Sequence, residues 1–262
     1  MNKGIVCLTT LLFLLASLTT LPAQQIHQET INDRTFYWIR PDTDPPEDGY
    51  PVLFMLHGAL EQADWYVNSQ RLFYSGQRYF IQQALKTGYL IVVPESGYIQ
   101  SSIPVKAWDA FTKGADNNTD IQFLTNITTW LHTTCEEHTN QDNMHCLGFS
   151  SGGFMASRIG HDQPTLFSSL SIYAAGDANG FDYNGGRPTF NLSADTSYPD
   201  NHPPTLIITG LFDPIVPLIV SRHLYKGLQE AHIETQLEAR ILGTHLWSPL
   251  TTEPILNFIQ SH

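Results

Sequence analysis

The chain has 262 residues, of which 42% are hydrophobic and 15% charged, and its formal net charge at pH 7 is −12. This composition is typical of a globular protein with a sizeable core and excludes a fibrous or disordered chain. The acidic charge and the lack of any Lys/Arg run argue against nucleic-acid binding, because phosphate recognition needs concentrated positive charge. The length suits one large α/β domain.

The first 23 residues have the pattern of a secretory signal peptide. Lys3 supplies a positive amino-terminal region, residues 5–18 are mostly apolar, and Ala23 offers a small residue for cleavage. The apolar segment is shorter than the roughly 20 residues that a membrane-spanning helix needs. We therefore predict cleavage rather than a lasting membrane anchor. Residues 24–262 are expected to form a single secreted domain, periplasmic or extracellular.

The predicted elements of the mature chain alternate between strands and helices. A hairpin of edge strands is predicted at residues 26–31 and 34–40, around Asn32 and Asp33. Short apolar runs predict strands buried on both faces at residues 52–56 and 89–93. Further strands are predicted at residues 144–149, 169–174, 206–209 and 236–242. Helical spacing predicts helices at residues 70–87, 121–134, 151–161, 219–230 and 254–261.

This alternation predicts an α/β fold with a mostly parallel, doubly wound sheet flanked by helices. In such sheets ligands bind at the carboxyl ends of the strands. Residues 176–204 interrupt the pattern with several Gly and Pro residues. We predict that this stretch crosses the strand ends, either as the rim of a substrate site or as an ordinary surface loop.

A glycine-flanked serine stands where a predicted strand gives way to a helix. Gly148-Phe149-Ser150-Ser151-Gly152 is the GxSxG pattern in the strand–turn–helix context that a nucleophile elbow requires. The glycines leave room where a β-carbon would collide with the neighbouring strand and helix. Ser150 holds the central position and is the predicted nucleophile. The backbone N–H of Ser151, at the helix start, is predicted to face a developing oxyanion.

The carboxylate that such a serine needs is predicted to be Asp213. A serine hydroxyl becomes a strong nucleophile only when a carboxylate-oriented histidine removes its proton. Asp213 directly follows the predicted strand 206–209. The alternative is an Asp that only organises the turn before Pro214. Asp177 and Asp182, which follow the preceding strand, are second choices.

The histidine is predicted to be His245, one of eleven in the chain. It follows the last predicted strand and precedes the last helix, which places it at the same sheet edge as Ser150 and Asp213. A solvated side chain is the alternative.

The loop after strand 52–56 is predicted to complete the oxyanion hole. His57 ends this strand and is expected to brace the loop by hydrogen bonds. The donor would then be the backbone N–H of Ala59 or Leu60.

Cys135 and Cys146 are the cysteines that remain after the signal peptide. An exported protein can form disulfides, and this pair would close a short loop between a helix end and a strand. The other reading is two separately buried thiols, since a strand position suits a small hydrophobe. Neither cysteine has a histidine at metal-ligand spacing, so no metal is predicted.

Together the motifs resemble the polyhydroxybutyrate depolymerase and feruloyl esterase group of secreted α/β hydrolases. The matching blocks, in chain order, are Leu56-His57-Gly58, Val92-Val93-Pro94-Glu95, Ala107-Trp108-Asp109, residues 116–124, 148–153 and 210–217, and Gly243-Thr244-His245-Leu246-Trp247. They span roughly residues 50–260. The elbow is general to α/β hydrolases, whereas the Trp-Asp pair and the Trp after the histidine are more particular to this group.

The resemblance implies hydrolysis of hydroxyalkanoate, hydroxycinnamate or acetylated-polysaccharide esters without metal or cofactor. The candidate substrate contacts are Leu60, Trp108, Phe149 and Trp247. The two tryptophans are expected to form an aromatic wall or, alternatively, to belong to the core. The loop after Gly58 lacks the cysteine and glutamine often found in the group, and no separate polymer-adsorbing domain is visible, which favours short esters over solid polymer.

Two other functions compete with this hypothesis. A serine peptidase of the same fold would cleave amides and usually carries a propeller or helical cap, which the sequence does not indicate. A non-catalytic binding protein on the same scaffold is disfavoured because a full set of Ser, Asp and His is present in the expected order.

Overall fold

A computed structural model describes residues 25–99, 104–135, 137–184, 187–194, 197–241 and 243–262. The predicted signal peptide, residues 1–23, lies outside these residues. Among the described helices, none is long and apolar enough to cross a membrane.

A mostly parallel sheet of eight strands organises the fold. The strands are β1 (Ile26–Ile31), β2 (Arg34–Ile39), β3 (Tyr50–Leu56), β4 (Leu90–Pro94), β5 (Tyr98–Ile99), β6 (Val105–Lys106), β7 (Thr139–Phe149), β8 (Ser169–Tyr173), β9 (Phe181–Asn184), β10 (Arg187–Phe190), β11 (Thr205–Gly210) and β12 (Thr235–Arg240). The large sheet has the order β1-β2-β4-β3-β7-β8-β11-β12, and β5–β6 and β9–β10 form separate pairs. From β4 to β12 all neighbours in this sheet pair in parallel. The α/β prediction is confirmed.

Helices cover both faces of the sheet. They are α1 (Ala63–Val67), α2 (Ser75–Lys86), α3 (Thr119–Thr133), α4 (Ser151–Asp162), α5 (Leu218–Glu230) and α6 (Thr252–Gln260). The predicted helix 70–87 is too long at its start, where residues Leu72–Tyr74 form a 3₁₀ turn. The sequence did not predict α1, because five residues are too few for an apolar period to be recognised.

The core consists of two layers, one on each face of the sheet. Successive side chains of a strand point to opposite faces. In β3, Val52, Phe54 and Leu56 accordingly belong to one buried cluster, while Leu53 and Met55 belong to the other. All five are at most 1% exposed. Burial on both faces explains why this strand is a continuous apolar run.

The amino-terminal hairpin forms as predicted, but only β1 lies at the edge of the sheet. Asn32 and Asp33 have φ values of 49° and 62°, the left-handed conformations that a tight hairpin turn requires. β2 pairs with β4 on its other side. The predicted antiparallel hairpin at the sheet edge is confirmed, with β1 outermost. Phe36 and Ile39 of β2 are fully buried, as expected of the strand that joins the hairpin to the sheet.

Cys135 and Cys146 are not joined by a disulfide. Cys146 lies in β7 and is fully buried in the core. Burial raises the pKa of its thiol, so this side chain acts as a small hydrophobe. Of the two sequence interpretations, separate thiols fit the structure.

Candidate active site

Ser150 lies on a strained turn between β7 and α4. Its φ of 53° and ψ of −115° are conformations that residues with a side chain rarely adopt. The backbone N–H of Ser150 donates to the carbonyl of Tyr173 in β8 at 2.8 Å, and its carbonyl accepts the N–H of Phe154 at 3.0 Å. The turn is therefore fixed by both the sheet and the helix, and it projects the hydroxyl beyond the sheet edge.

Two glycines permit the close packing around this turn. A β-carbon at Gly148 would lie 2.0 Å from the carbonyl oxygen of Gly152, and one at Gly152 would lie 2.2 Å from that of Leu56. Contacts this short are sterically forbidden. The glycines of the motif are thus required by the approach of α4 to β3 and β7, as the sequence interpretation assumed.

His245 bridges Ser150 and Asp213. Its Nε2 lies 2.9 Å from Ser150 Oγ, and its Nδ1 lies 2.8 Å from Asp213 Oδ2. The three groups come from segments that follow β7, β11 and β12. The structure thus brings together the three predicted side chains in a geometry suited to proton transfer from the hydroxyl to the imidazole.

Asp213 also organises its own loop. Its Oδ1 accepts the backbone N–H groups of Ile215 and Val216, each at 2.8 Å. Its side chain is fully buried. The two readings of this residue are therefore compatible, because one oxygen fixes the turn while the other faces His245.

Backbone contacts hold the loop of His245 against that of Asp213. The N–H of Phe212 donates to the carbonyl of Gly243 at 3.0 Å. The imidazole of His245 also packs against the ring of Phe149, with centroids 5.3 Å apart. These contacts restrict the imidazole ring of His245, which still lines the pocket.

The two predicted oxyanion donors belong to residues that line the pocket of Ser150. Ala59 and Ser151 both contribute to its wall, and Ser151 is the first residue of α4. The N–H of Leu60 instead donates to the carbonyl of Lys106 at 2.8 Å. This bond favours Ala59 over Leu60 as the donor from the loop after β3.

His57 braces that loop. Its Nδ1 lies 2.8 Å from the carbonyl oxygen of Gly58, and its Nε2 lies 2.8 Å from Oε1 of Glu95. Lys106 Nζ lies 3.3 Å from the same carboxylate oxygen. Burial raises the pKa of Glu95, but the nearby His57 and Lys106 side chains outweigh it, so the pKa falls below its usual value. The carboxylate is therefore ionised and can hold His57 in place.

The pocket above Ser150 has a volume of about 560 Å³ and is predominantly apolar. Glu61 is one of the residues around the pocket, but its carboxylate is already hydrogen-bonded within the protein. It accepts the N–H of Gly58 at 2.7 Å and the hydroxyl of Tyr66 at 2.9 Å. The pocket is lined by Gly58, Ala59, Leu60, Glu61, Phe73, Tyr74, Ile99, Ala107, Phe149, Ser150, Ser151, Phe154, Phe181, Pro188, Ile215, Val216, His245 and Leu246. Such a wall favours an apolar, uncharged substrate group.

Of the two sequence readings of Trp108 and Trp247, an aromatic wall or core residues, the core reading fits the structure better. Trp108 is fully buried, and its Nε1–H donates to the carbonyl of His57 at 2.9 Å. Trp247 lies behind Phe149 and also packs against Phe80, with ring centroids 5.9 Å and 5.7 Å away. Both tryptophans are core residues that support the site from behind. Of the four predicted contacts, Leu60 and Phe149 line the pocket.

The excursion at residues 176–204 contributes to the pocket through the β9–β10 hairpin. Phe181 and Pro188 line the pocket. The ring of Phe181 stacks on that of Phe154 in α4, with centroids 3.8 Å apart and planes 8° from parallel. The substrate-rim reading of this stretch thus fits better than that of an ordinary surface loop.

Asp177, a second choice for the carboxylate, belongs to a different cluster. Its carboxylate lies 3.1 Å from Nε2 of His161 and accepts a hydrogen bond from the hydroxyl of Tyr198. Burial raises the pKa of Asp177, but these partners outweigh it and the pKa lies below its usual value. The cluster fastens the excursion to α4. Asp182 lies on the exposed side of β9.

Sequence reasoning missed most of the pocket wall. Ile215 and Leu246 could have been found, because each lies within two residues of a predicted catalytic side chain. Phe73, Phe181 and Pro188 carried no comparable signal. In the described parts of the chain, no group of three or more His, Cys, Asp or Glu residues is arranged to hold a metal ion.

Sequence comparison places this site within a family. The model of the Esterase family matches residues 28–181, which is more than half of the chain. The chain belongs to the Esterase family. It is 24% identical over 239 residues to a poly(3-hydroxyoctanoate) depolymerase of Pseudomonas fluorescens, covering 88% of this chain and 81% of that protein. It is 25% identical over 126 residues to a "Probable acetylxylan esterase A" of Aspergillus fumigatus, covering 47% of this chain and 32% of that protein.

Solved structures of α/β hydrolases share the fold of this esterase. A ferulic acid esterase superposes with a TM-score of 0.64 at 15% identity, covering 91% of this chain and 98% of that one. A "putative dipeptidyl aminopeptidase IV" from Bacteroides ovatus gives a TM-score of 0.66 at 13% identity, but the match covers only 36% of that longer chain against 91% of this one. Together with the family, these relatives make the chain a serine ester hydrolase of α/β-hydrolase fold.

Proposed function

We propose that this esterase is a secreted carboxylic ester hydrolase in which Ser150, His245 and Asp213 form the catalytic triad. The observation that carries the proposal is the position of His245, whose two ring nitrogens lie within hydrogen-bonding distance of the serine hydroxyl and the buried carboxylate. Asp213 keeps the ring oriented and stabilises its charge when it takes up a proton.

The reaction proceeds in two stages. His245 Nε2 takes the proton of Ser150 as Oγ attacks the ester carbonyl, and the resulting tetrahedral intermediate breaks its bond to the alcohol oxygen. His245 protonates that leaving alcohol, and the acid remains esterified to Ser150. Water then attacks the acyl-enzyme, gives its proton to His245 and releases the carboxylic acid, after which Ser150 regains its hydrogen.

Backbone N–H groups of Ala59 and Ser151 stabilise the oxyanion in both stages. Ser151 is the first residue of α4, where the helix leaves N–H groups unpaired and the helix dipole favours negative charge. Removal of one such donor in comparable enzymes costs roughly 10²–10³-fold in turnover.

The substrate class is a neutral ester of a polyester or plant cell-wall type, such as hydroxyalkanoate oligomers, feruloyl esters or acetyl esters. The apolar pocket wall supports an uncharged acyl group. The poly(3-hydroxyoctanoate) depolymerase, the relative with the longer match, supports hydroxyalkanoate esters in particular.

The proposal that the protein is secreted rests on residues 1–23. Their basic start, apolar core and Ala23 suit cleavage before Gln24. Expression of the full chain in a bacterial host and amino-terminal sequencing of the exported product tests this, with a new terminus at Gln24 as the expected result.

The decisive experiment compares two adjacent serines. Ser150→Ala should lower hydrolysis of p-nitrophenyl butyrate by roughly 10⁶-fold and abolish labelling by a fluorophosphonate probe. Ser151→Ala is the matched control and should still be labelled. Near-normal hydrolysis by folded Ser150→Ala protein would refute the assignment.

A peptidase activity is the competing function, since peptidases are among the structural neighbours. Matched ester and amide substrates with the same acyl group distinguish the two. We expect ester cleavage to dominate, and equal or faster amide cleavage would favour a peptidase.

A further inference from the structure

A second cavity borders the loop that carries His245. It has a volume of about 490 Å³, close to the value of about 560 Å³ for the Ser150 pocket. Thr244, Leu246 and Trp247, which flank His245 in the chain, belong to its wall, and Leu246 lines both cavities. The loop is therefore a common wall between the site of chemistry and a second space of similar size.

Three side chains of the second cavity carry a buried polar atom that has no hydrogen-bond partner among the described residues. These atoms are Thr209 Oγ1, Arg240 Nε and Trp247 Nε1. The nearest acceptor recorded for Arg240 Nε is Glu238 Oε2 at 3.8 Å, beyond hydrogen-bonding distance, while Arg240 Nη2 donates to the carbonyl of Leu250 at 2.9 Å. Buried polar atoms are nearly always paired in folded proteins, so three unpaired ones around one cavity indicate a ligand site.

The chemistry of these atoms selects a ligand that accepts hydrogen bonds. An indole N–H and a guanidinium N–H can only donate, and a threonine hydroxyl can donate as well. The guanidinium of Arg240 is also a permanent positive charge, which suits a carboxylate. Ile241 and Leu250 belong to the same wall and are 72% and 77% exposed, so they offer apolar surface to a hydrocarbon chain. An aliphatic carboxylate matches both features.

We propose that this second cavity binds the aliphatic carboxylic acid that the reaction releases, and that the bound acid slows further turnover. The carboxylate accepts hydrogen bonds from Thr209, Arg240 and Trp247, and its chain lies against Ile241 and Leu250. That the ligand is the product rests on the proposed function, whereas its chemical class follows from the cavity wall.

Binding and catalysis oppose each other through the position of the loop. In the structure His245 Nε2 lies 2.9 Å from Ser150 Oγ, and in this arrangement Thr209 Oγ1 and Trp247 Nε1 are buried. A carboxylate reaches those two donors only when the loop moves. A ligand that favours the moved loop draws His245 away from Ser150, because it stabilises one arrangement over the other. The acid therefore lowers kcat rather than competing for the Ser150 pocket.

Binding is tested separately from catalysis. The probe is sodium hexanoate, titrated by calorimetry into Ser150→Ala protein, with hexanamide as its uncharged counterpart. Hexanoate should bind about tenfold more tightly or better, because hydrogen bonds to a charged acceptor are stronger. In this background Thr209→Val, which removes only an unpaired hydroxyl, should raise the Kd about fivefold, and Arg240→Gln should raise it about tenfold or more. Ser171→Ala removes another buried hydroxyl that lacks a partner in the described part of the chain. It lies on the neighbouring strand β8 outside the cavity wall and is the matched control, which should bind as the parent does.

Kinetics with Ser150 intact give the second readout. Hexanoate should lower kcat for p-nitrophenyl butyrate with little change in KM, and Thr209→Val should weaken this inhibition by the same factor as it weakens binding. Purely competitive inhibition would overturn the proposal, because the acid would then occupy the Ser150 pocket. So would the absence of binding, or equal binding by the parent, Thr209→Val and Arg240→Gln, which would show an adventitious additive only. Hexanoate binding that depends on Thr209 in a parent without esterase activity would support the site and refute only the proposed function.

Discussion

The backbone N–H of Trp108 donates to the side-chain hydroxyl of Ser151 at 3.0 Å. The side chain of Ser151 therefore holds the segment before α3, whereas the hydroxyl of the preceding Ser150 faces His245. The side chains of these adjacent serines thus have different partners, and only that of Ser150 is placed for the proposed chemistry.

Ser151→Ala should destabilise the protein more than it affects the reaction. The substitution leaves the buried N–H of Trp108 without an acceptor, which costs roughly 1–3 kcal/mol of unfolding free energy. Urea unfolding followed by tryptophan fluorescence measures the loss, and turnover of p-nitrophenyl butyrate should fall only slightly. A folded, stable Ser151→Ala protein that no longer reacts with fluorophosphonate would instead assign the nucleophile to Ser151.

Asp213→Asn should lower kcat by about 10⁴-fold, as the equivalent change does in a well-studied triad, because the amide no longer stabilises the protonated imidazole. Asp177→Asn is the matched control. It weakens the contact with His161 and Tyr198 and should lower the thermal midpoint while leaving kcat nearly unchanged. Equal kinetic losses in both variants would argue against a special role for Asp213.

Trp108→Phe separates a core role from substrate contact. The smaller ring leaves a cavity and an unpaired carbonyl at His57, so unfolding free energy should fall by about 2–4 kcal/mol. KM for short esters should hardly change, because Trp108 is fully buried. Trp65→Phe, at a partly exposed tryptophan, provides a comparison. A raised KM at unaltered stability would instead indicate that Trp108 contacts the substrate.

Acid should destabilise the protein through buried histidines. Burial lowers the pKa of His145 to about 4, against about 6.5 in an unfolded chain. Between about pH 6.5 and 4 the unfolded state therefore binds more protons at this residue than the folded state does. The free energy of unfolding is unaffected by His145 above about pH 6.5 and declines as the pH falls toward 4. The full effect is on the order of 3 kcal/mol.

Urea unfolding of wild-type protein and His145→Gln between pH 7.5 and 4 measures this contribution. The variant should lose less stability on acidification, since its amide does not titrate. His132→Gln, at an exposed position of α3, should follow the wild type. Parallel curves for wild type and His145→Gln would contradict the prediction.

Local sequence patterns predicted the sheet and the elbow well. The central strands are short apolar runs, and Ser150 and Asp213 follow two of them. The strand before His245, β12, is polar and partly exposed, but the order of strands and helices still located all three residues at one edge. The placement of Trp108 and Trp247 stayed open between wall and core for a physical reason: the sequence around a tryptophan does not reveal whether its ring faces a cavity or the core. The contact of Phe181 with Phe154 joins residues 27 positions apart, and no period in the sequence encodes it.

Part of the pocket wall comes from segments outside the large sheet. Phe73 precedes α2, Pro188 lies in the β9–β10 hairpin, and Leu246 follows β12, so each can vary without altering a core strand. The parts of the wall formed by Phe73 and Pro188 are consequently encoded apart from the segments that carry Ser150, Asp213 and His245. Substitutions in those segments can therefore change which acyl group the pocket accepts while Ser150, His245 and Asp213 stay the same.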